Sequence, residues 1–333
     1  MKKPLLLLIL VFLTLFSFSQ KKKTSAPTGP KVPVVIKWAK GETSYLKVSK
    51  SEENVASNEY YKIKTDYDVR LKVLEKTDTS YTMEWTYTTA KAVVEDYQLR
   101  GAIIRLADEE KIRGMIHQLL ESTEESAVGM KVIYRTNEFG EFKEIINREE
   151  IRDQYKKTFR NMLGFLAAEL PIEQRDSLNN MLNFMADVIV ADPDFGLTFE
   201  DIQLVHTAYG YEYEPGVNQT MVGSMKSPFN DEEYEIDMDV KMAKYSSDKK
   251  NCTIEGKLHF GTEVMQEYIS DFQETMRLQG FNTLDEIPEM EMNSDFALEI
   301  DLNYGWVYNA TATTKTKENH DISTKILQIT LRL

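Results

Sequence analysis

Histidine and cysteine are the residues most often used for metal binding and nucleophilic catalysis, and this chain has few of them. The four histidines are His117, His206, His259 and His320, and the single cysteine is Cys252. None of them lies at metal-ligand spacing from another, so the sequence predicts no metal and no cofactor. Because Cys252 falls in an alternating segment, we interpret it as a small buried apolar residue.

Motifs built on serine or on acidic residues are equally weak. The nucleophile pattern Gly-x-Ser-x-Gly is absent, since Gly223-Ser224 has no glycine two residues later. The acidic clusters Asp192-Pro193-Asp194 and Asp231-Glu232-Glu233 contain calcium-binding residue types, but both lie in turn-like sequence and neither follows the EF-hand pattern. We therefore predict that the protein is not an enzyme, and a hydrolase is the third-ranked function.

Aromatic residues are the feature that points to a function. Several of them, with one methionine, share a predicted sheet face, and the candidate ligand-binding residues are Trp38, Tyr61, Tyr67, Tyr81, Met83, Trp85, Tyr87 and Tyr304. An apolar face of this kind holds a lipid or another apolar molecule when it lines a cavity. The alternative is that the same residues form the core, which is the usual role of buried aromatic residues.

Strict alternation of apolar and polar residues predicts the strands that carry this face. It runs through residues 61–73 and 81–88, and the polar link 75–80 between them predicts an antiparallel hairpin. Further alternating segments lie at 234–242, 252–260, 296–304, 306–316 and 322–333. Alternation indicates one buried and one solvated face, as in antiparallel sheets, whereas parallel strands give continuous apolar runs.

Four segments carry a one-sided apolar stripe of helical period and are predicted helices: 108–122, 148–168, 172–190 and 262–278. We therefore predict an α+β fold, with one large curved antiparallel sheet and helices packed on its apolar face. Residues 34–333 form a single domain in this interpretation. The order hairpin, helix, strand, glycine turn, strand occurs twice, around Gly140 and Gly305, and suggests two related halves, 34–191 and 198–333.

The N-terminal residues have the pattern of a cleavable signal peptide. Lys2 and Lys3 precede an apolar run from Leu5 to Phe16, and Ser17-Phe18-Ser19 supplies the small residues of a cleavage site. The run is shorter than the roughly 20 apolar residues of a spanning helix. We predict a signal peptide at 1–19, a disordered leader at 20–33, and an exported protein, periplasmic or secreted and soluble. It would not be a lipoprotein, because no cysteine lies at the cleavage site.

Net charge limits the partners. The formal charge is −14, and removal of residues 1–19 leaves 38 basic against 54 acidic residues, or −16. Nucleic acids and anionic headgroups repel such a chain, so we expect neither as a partner. No later segment is apolar enough for a membrane span.

The segment from Ile36 to Tyr45, IKWAKGETSY, resembles the start of a Bacteroidota-type family of exported bacterial proteins of unknown function. These open on an aromatic-x-x-Gly-Glu-x-x-Tyr phrase that leads into long antiparallel strands. More loosely, the whole pattern resembles half-barrel envelope proteins that carry lipids or lipoproteins. Neither resemblance assigns a binding residue.

Two functions follow from these patterns. The first is a non-enzymatic exported protein that binds a lipid or another apolar small molecule between sheet and helices. The second is an envelope scaffold with a filled core, which binds an envelope protein and no small molecule; it predicts a sizeable exposed apolar patch.

Overall fold

Long antiparallel strands make up most of the described chain. The computed structural model describes residues 19–21, 29–56, 59–99, 121, 124, 127–168, 199–226, 233–278, 289–318 and 321–332. The strands are β1 Ser19–Lys21, β2 Val32–Val34, β3 Thr43–Val55, β4 Glu59–Lys76, β5 Ser80–Leu99, β6 Lys131–Asn137, β7 Phe142–Ile145, β8 Tyr211–Tyr213, β9 Asn218–Lys226, β10 Glu233–Tyr245, β11 Asn251–Phe260, β12 Met290–Asp301, β13 Trp306–Glu318 and β14 Asp321–Arg332. The helices are α1 Arg148–Ala168, α2 Glu200–His206 and α3 Thr262–Leu278.

The predicted α+β class is wrong, because the described residues form a mainly β structure with three helices. Strands are longer than the alternation indicated: the hairpin predicted at 61–73 and 81–88 spans Glu59–Lys76 and Ser80–Leu99. Three register shifts between β4 and β5 allow pairing to continue where the alternation fails. Helices α1 and α3 have the predicted bounds. The helices predicted at 108–122 and 172–190 lie outside the described residues, apart from Glu121.

One sheet contains twelve of the strands, in the order β1-β9-β10-β11-β12-β13-β14-β3-β4-β5-β6-β7. Strands β3 to β7 form one antiparallel meander and β9 to β14 form another. The last strand, β14, joins them by pairing with β3 along its whole length. Each meander contains a glycine turn, at Gly140 and at Gly305, where the sequence suggested related halves.

Two short strands lie in the segment predicted to be a leader. Strand β1 pairs with β9 at the sheet edge, and β2 pairs with β8 in a separate two-stranded sheet. Residues 1–18 lie outside the described residues, so the signal peptide stays a prediction.

The two glycine turns meet on one short segment, residues 34–38. The Ile36 amide donates to the Phe139 carbonyl at 3.0 Å, and the Trp38 indole donates to the Gly305 carbonyl at 3.0 Å. Strands β6 and β13, which carry these turns, are five strand spacings apart, about 24 Å in a flat sheet. The sheet must therefore curl around residues 34–38, and its concave side is the inner face.

Aromatic side chains fill the inner face where the turns meet. Trp38 stacks on Trp306 with ring centroids 4.1 Å apart and meets the edges of Tyr81 and Tyr209 at 6.4 and 6.2 Å. The Tyr209 hydroxyl also donates to the Gly305 carbonyl, at 2.7 Å. Rings of this size bury much apolar area and fix the turns against residues 34–38.

Gly305 allows this close approach. Its φ is 71°, and a Cβ there would lie 2.6 Å from the Val35 carbonyl oxygen and 2.7 Å from Ile36 Cα. Both neighbours are backbone atoms and cannot rotate away. The turn therefore needs glycine both for its φ and for the contact.

We predict that Gly305→Ala destabilises the fold by about 3 kcal/mol, from left-handed backbone strain plus steric overlap. Gly216→Ala is the matched control, since Gly216 has φ 79° with nothing within 4 Å of an added Cβ. The control should cost only the conformational part, about 1 kcal/mol. Urea unfolding of both variants measures the difference, and equal losses would show that contact with residues 34–38 is unimportant.

Candidate functional site

The structure separates the eight predicted ligand-binding residues into three groups. Five are buried in the core: Trp38, Tyr81, Met83, Trp85 and Tyr87. Tyr61 and Tyr67 lie on the inner face of β4 and are half-buried. Tyr304 is 64% exposed, because β12 ends at Asp301 and the predicted alternation through 296–304 does not reach it. The sheet thus brings seven of the eight to its inner side.

The inner face of β13, β14 and β3 changes from apolar to polar along the length of these strands. Near the glycine turns its residues are apolar, for example Ala310, Leu327 and Val48. Farther along the same strands, positions of the same parity are polar, and they form what we call the polar trough: Lys50, Glu52 and Asn54 of β3, Ser323 and Lys325 of β14, and Thr314 and Thr316 of β13. All are half-buried except Asn54, which is buried.

Strand register fixes the order of side chains across the trough. One row runs from Phe260 and Met292 through Thr316, Ser323 and Asn54 to Tyr61. The next row runs from Leu258 through Ser294, Thr314, Lys325 and Glu52 to Ile63. Directly opposite side chains on one face lie roughly 5 Å apart. The polar trough is therefore bordered by apolar side chains on both sides.

The two borders differ in burial. On the β4 side, Tyr61, Ile63 and Tyr67 are half-buried. On the β11–β12 side, Leu258, Phe260 and Met292 are buried. Helix α3 lies over that second border, where Met265, Tyr268, Ile269, Phe272 and Met276 form its buried stripe. Asp271 of α3 accepts a hydrogen bond from the Tyr234 hydroxyl of β10.

Helix α2 places two carboxylates against the trough. Glu200 Oε1 lies 2.8 Å from Lys325 Nζ and 3.3 Å from Lys50 Nζ, so one carboxylate joins β14 and β3. The neighbouring Asp201 accepts a hydrogen bond from the Tyr87 hydroxyl at 2.9 Å and lies 3.9 Å from Lys50 Nζ. We call these four charged residues, Lys50, Lys325, Glu200 and Asp201, the charge cluster.

Charge pairing decides the protonation states in the cluster. Burial alone lowers the pKa of Lys50, but the charges of Asp201 and Glu200 outweigh burial and raise it. Burial likewise raises the pKa of Glu200, and the charges of Lys325 and Lys50 reverse this and lower it. Lys50 is therefore an ammonium and no nucleophile, while Glu200 is a carboxylate.

Glu52 differs from Glu200, because burial dominates its pKa. Its burial raises its pKa, against the opposing effects of the Tyr61 hydrogen bond and the Lys325 charge. The Tyr61 hydroxyl donates to Glu52 Oε1 at 2.8 Å. The trough thus includes a carboxyl group that protonates more readily than an exposed glutamate.

Two other groups that could do chemistry, His206 and Cys252, are not in a reactive state. His206 is buried, and its Nδ1 lies 2.7 Å from the Gly140 carbonyl oxygen, so Nδ1 must donate and Nε2 accepts from the Tyr134 hydroxyl at 2.9 Å. Burial lowers the pKa of His206 to about 4, despite the Gly140 hydrogen bond. Burial raises the pKa of the Cys252 thiol to about 12, so it stays protonated, and Cys252 is buried as predicted.

Within the described parts of the chain, no group of three or more His, Cys, Asp and Glu side chains is arranged to hold a metal ion. Among the helical segments described, none combines the length and apolarity needed to cross a membrane.

Comparison with known proteins identifies no family. No protein-family model and no curated protein sequence matches the chain. Similar solved structures include one of lipid–protein interactions in lipovitellin, with TM-score 0.37 and 7% identity over 89% of this chain and 26% of that chain. They also include an outer membrane channel from Pseudomonas putida F1, with TM-score 0.18 and 6% identity over 92% of this chain and 100% of that chain.

The chain therefore spans about a quarter of the lipovitellin chain. No sequence family supports the predicted resemblance to lipid carriers. At such TM-scores neither similarity establishes a shared fold or function.

Sequence reasoning missed the polar trough, although one signal was present. In β13 and β14 the apolar parity of Ala310, Ala312, Leu327 and Ile329 continues into Thr314, Thr316, Lys325 and Ser323. Extending that parity along each strand assigns these polar residues to the inner face. The contribution of Glu200 had no comparable signal, because α2 has seven residues and pairs with lysines far away in sequence.

We predict that Glu200→Gln destabilises the protein by about 3 kcal/mol, because two largely buried ammonium groups lose their shared carboxylate. Glu144→Gln is the control, since it breaks an exposed ion pair with Arg135 of 2.6 Å and should cost about 0.5 kcal/mol. Urea unfolding at neutral pH measures both variants. Similar small losses would mean that Lys50 and Lys325 do not depend on Glu200 as their buried partner.

We predict that acidification weakens the fold partly through His206. Its folded pKa of about 4 lies below the unfolded value of 6.5, so the stabilisation is complete above pH 6.5 and is lost as the pH falls toward 4. The loss amounts to about 3 kcal/mol. The stability gap between wild type and His206→Gln should therefore shrink across this range in urea titrations.

His259→Gln, which changes an exposed histidine on β11, is the control for the loss of an imidazole ring. A constant gap between wild type and His206→Gln from pH 7 to pH 4 would contradict the assignment of a neutral buried His206.

Proposed function

We propose that this protein is an exported, non-enzymatic binding protein that holds an amphipathic, lipid-like molecule on the inner face of its sheet. The observation that carries the proposal is the polar trough, which lies between two apolar borders on the concave side. A polar headgroup on the trough and an apolar chain along a border would match this arrangement.

The polar residues argue against a purely structural inner face. An antiparallel sheet with one buried face normally places apolar residues there, since buried polar groups are costly without hydrogen bonds. Here seven adjacent inner positions on β13, β14 and β3 are polar. Lys50, Lys325, Glu52 and Thr314 have partners within the protein. The Asn54 amide nitrogen has none, and water or a ligand's polar end would supply one.

The apolar borders suit a flexible hydrocarbon chain. Tyr61, Ile63 and Tyr67 are only half-buried, so they retain surface that a ligand would cover. The opposite border is rich in methionine, including Met290 and Met292 of β12 and Met265 and Met276 of α3. Methionine side chains are flexible and adapt to irregular apolar shapes.

A binding role fits the described titratable groups better than catalysis does. Lys50 and Glu200 neutralise each other, both His206 nitrogens are hydrogen-bonded, and the Cys252 thiol has a raised pKa. None of these groups is poised to attack a substrate or to accept its proton. Export is supported by the signal-peptide pattern of residues 1–19 alone.

A second candidate is an envelope scaffold that binds a protein partner. On the outer face Val55 and Ile322 are directly paired and are 41% and 47% exposed. This favours a contact surface near the ends of β3 and β14 that lie away from the glycine turns. The pair is small beside the patches of several hundred Å² that mark interaction sites, so the ligand-binding role ranks first.

We predict that protein purified from its own envelope carries a lipid at near-unit stoichiometry, seen by native mass spectrometry and organic extraction. After delipidation, Ile63→Glu should weaken binding of a fluorescent fatty acyl probe at least about tenfold, because it puts a charge beside the chain.

Ile326→Glu is the matched control for Ile63→Glu, since Ile326 is 45% exposed on the outer face of β14. It should bind the probe like wild type. Repeated recovery of lipid-free protein, together with no saturable probe binding, would favour the scaffold instead.

A further inference from the structure

One residue of the polar trough is buried, and its side-chain hydrogen-bond donor has no acceptor. Asn54 is 5% exposed, and its side-chain amide nitrogen has no hydrogen-bond partner. A buried amide of this kind is unfavourable unless a partner binds it. An apolar residue of similar size would avoid this cost. Its presence points to a partner that arrives from outside.

Asn54 is well placed to receive the polar end of a ligand. By register it lies opposite Ser323 on one side and Tyr61 on the other, in the row that continues through Thr316 to Met292. Residues that carry hydroxyl groups therefore flank it on both sides, although Tyr61 donates its own to Glu52. An apolar border begins at each end of the row. A headgroup at Asn54 would leave an apolar chain free to follow either border.

The charges around this point favour an uncharged headgroup. Lys50 and Lys325 are both engaged by Glu200, and Asp201 lies against Lys50 as well. The two ammonium groups are thus matched by the two carboxylates of α2. An anionic headgroup would have to displace Glu200 from both lysines, and it would also approach Glu52. A cationic headgroup would meet Lys50 and Lys325 beside it.

We infer that the polar end of the ligand is an uncharged hydrogen-bond acceptor, such as an ester carbonyl or a hydroxyl group, and that it accepts from the Asn54 amide. This inference rests on the proposed binding of a lipid-like ligand. Ser323 and Thr316 supply hydroxyls for any second polar atom of the headgroup. The ligand class is therefore a neutral lipid with a polar glycerol-like or alcohol end.

The test compares two probes that share one acyl chain and differ in the headgroup: mono-oleoylglycerol, which is uncharged, and oleate, which is anionic. Calorimetric titration of delipidated protein should show mono-oleoylglycerol binding at least about tenfold more tightly than oleate. Asn54→Leu should lose about tenfold in affinity for mono-oleoylglycerol and little for oleate. The ligand-free variant should melt about 2–4 °C higher than wild type, because the unpaired amide is gone.

Asn293→Leu is the matched control. Asn293 is an exposed amide on the outer face of β12, on the side of the sheet away from the polar trough. This variant should bind both probes like wild type. If Asn54→Leu does not fold, Asn54→Asp keeps the size and removes the donor, and it should lose the same affinity.

The outcomes separate the two proposals. Tighter binding of oleate, or unchanged mono-oleoylglycerol binding by the Asn54 variants, would overturn the headgroup assignment. The wider proposal would stand in that case, provided that Ile63→Glu still weakens binding. If wild type binds neither probe, both the ligand-binding role and the headgroup assignment fail.

Discussion

The fold depends on the contact of two distant glycine turns with residues 34–38. Ile36 bonds to the turn that contains Gly140, and Trp38 bonds to the turn that contains Gly305. Residues 206–209 join the same two turns, since the His206 ring donates to the Gly140 carbonyl and the Tyr209 hydroxyl donates to the Gly305 carbonyl. Together these contacts draw β6 and β13 toward each other, although the sheet keeps them five strands apart. The concave site is thus a consequence of two short segments, 34–38 and 206–209.

The curvature also explains why one face of the sheet is apolar near the glycine turns and polar farther along the strands. Near the turns the strands converge on Trp38, and aromatic rings fill the space between them. Away from the turns, Lys50 and Lys325 meet the carboxylates of α2 rather than apolar residues. Pairs of this kind give little net stability, because desolvation offsets the attraction between the charges. Their value lies in fixing α2 across β3 and β14, at the edge of the trough.

Part of this structure follows from the sequence. Apolar stripes of helical period give the bounds of α1 and α3, and the buried stripe of α3 packs on β12. Alternation likewise locates β10, β11 and the C-terminal half of β12. It fails for β3, since Lys50, Glu52 and Asn54 occupy its inner positions and remove the contrast between faces. A rule based on apolar burial cannot find a strand whose buried side is polar.

The site was harder to predict than the strands, because long-range pairing creates it. Tyr81, Met83, Trp85 and Tyr87 share a face by local alternation, and they are buried together. Tyr304 continues the alternation of Phe296, Leu298 and Ile300, but it lies past the end of β12, where alternation no longer determines the face. Glu200 and Asn54 become significant only when β14 pairs with β3 and α2 docks on both strands. No local pattern carries that information.

Photo-crosslinking with a lipid that carries a diazirine on its acyl chain tests the binding face most directly. Mass spectrometry of the digested complex identifies the labelled strands. Binding between the borders of the polar trough predicts labels on the inner-face residues of β4 and β12, such as Ile63 and Met292, and competition by unlabelled lipid. Labels confined to outer-face residues such as Val55, Ile322 and Ile326, or labels that excess lipid does not reduce, would contradict a ligand site on the inner face.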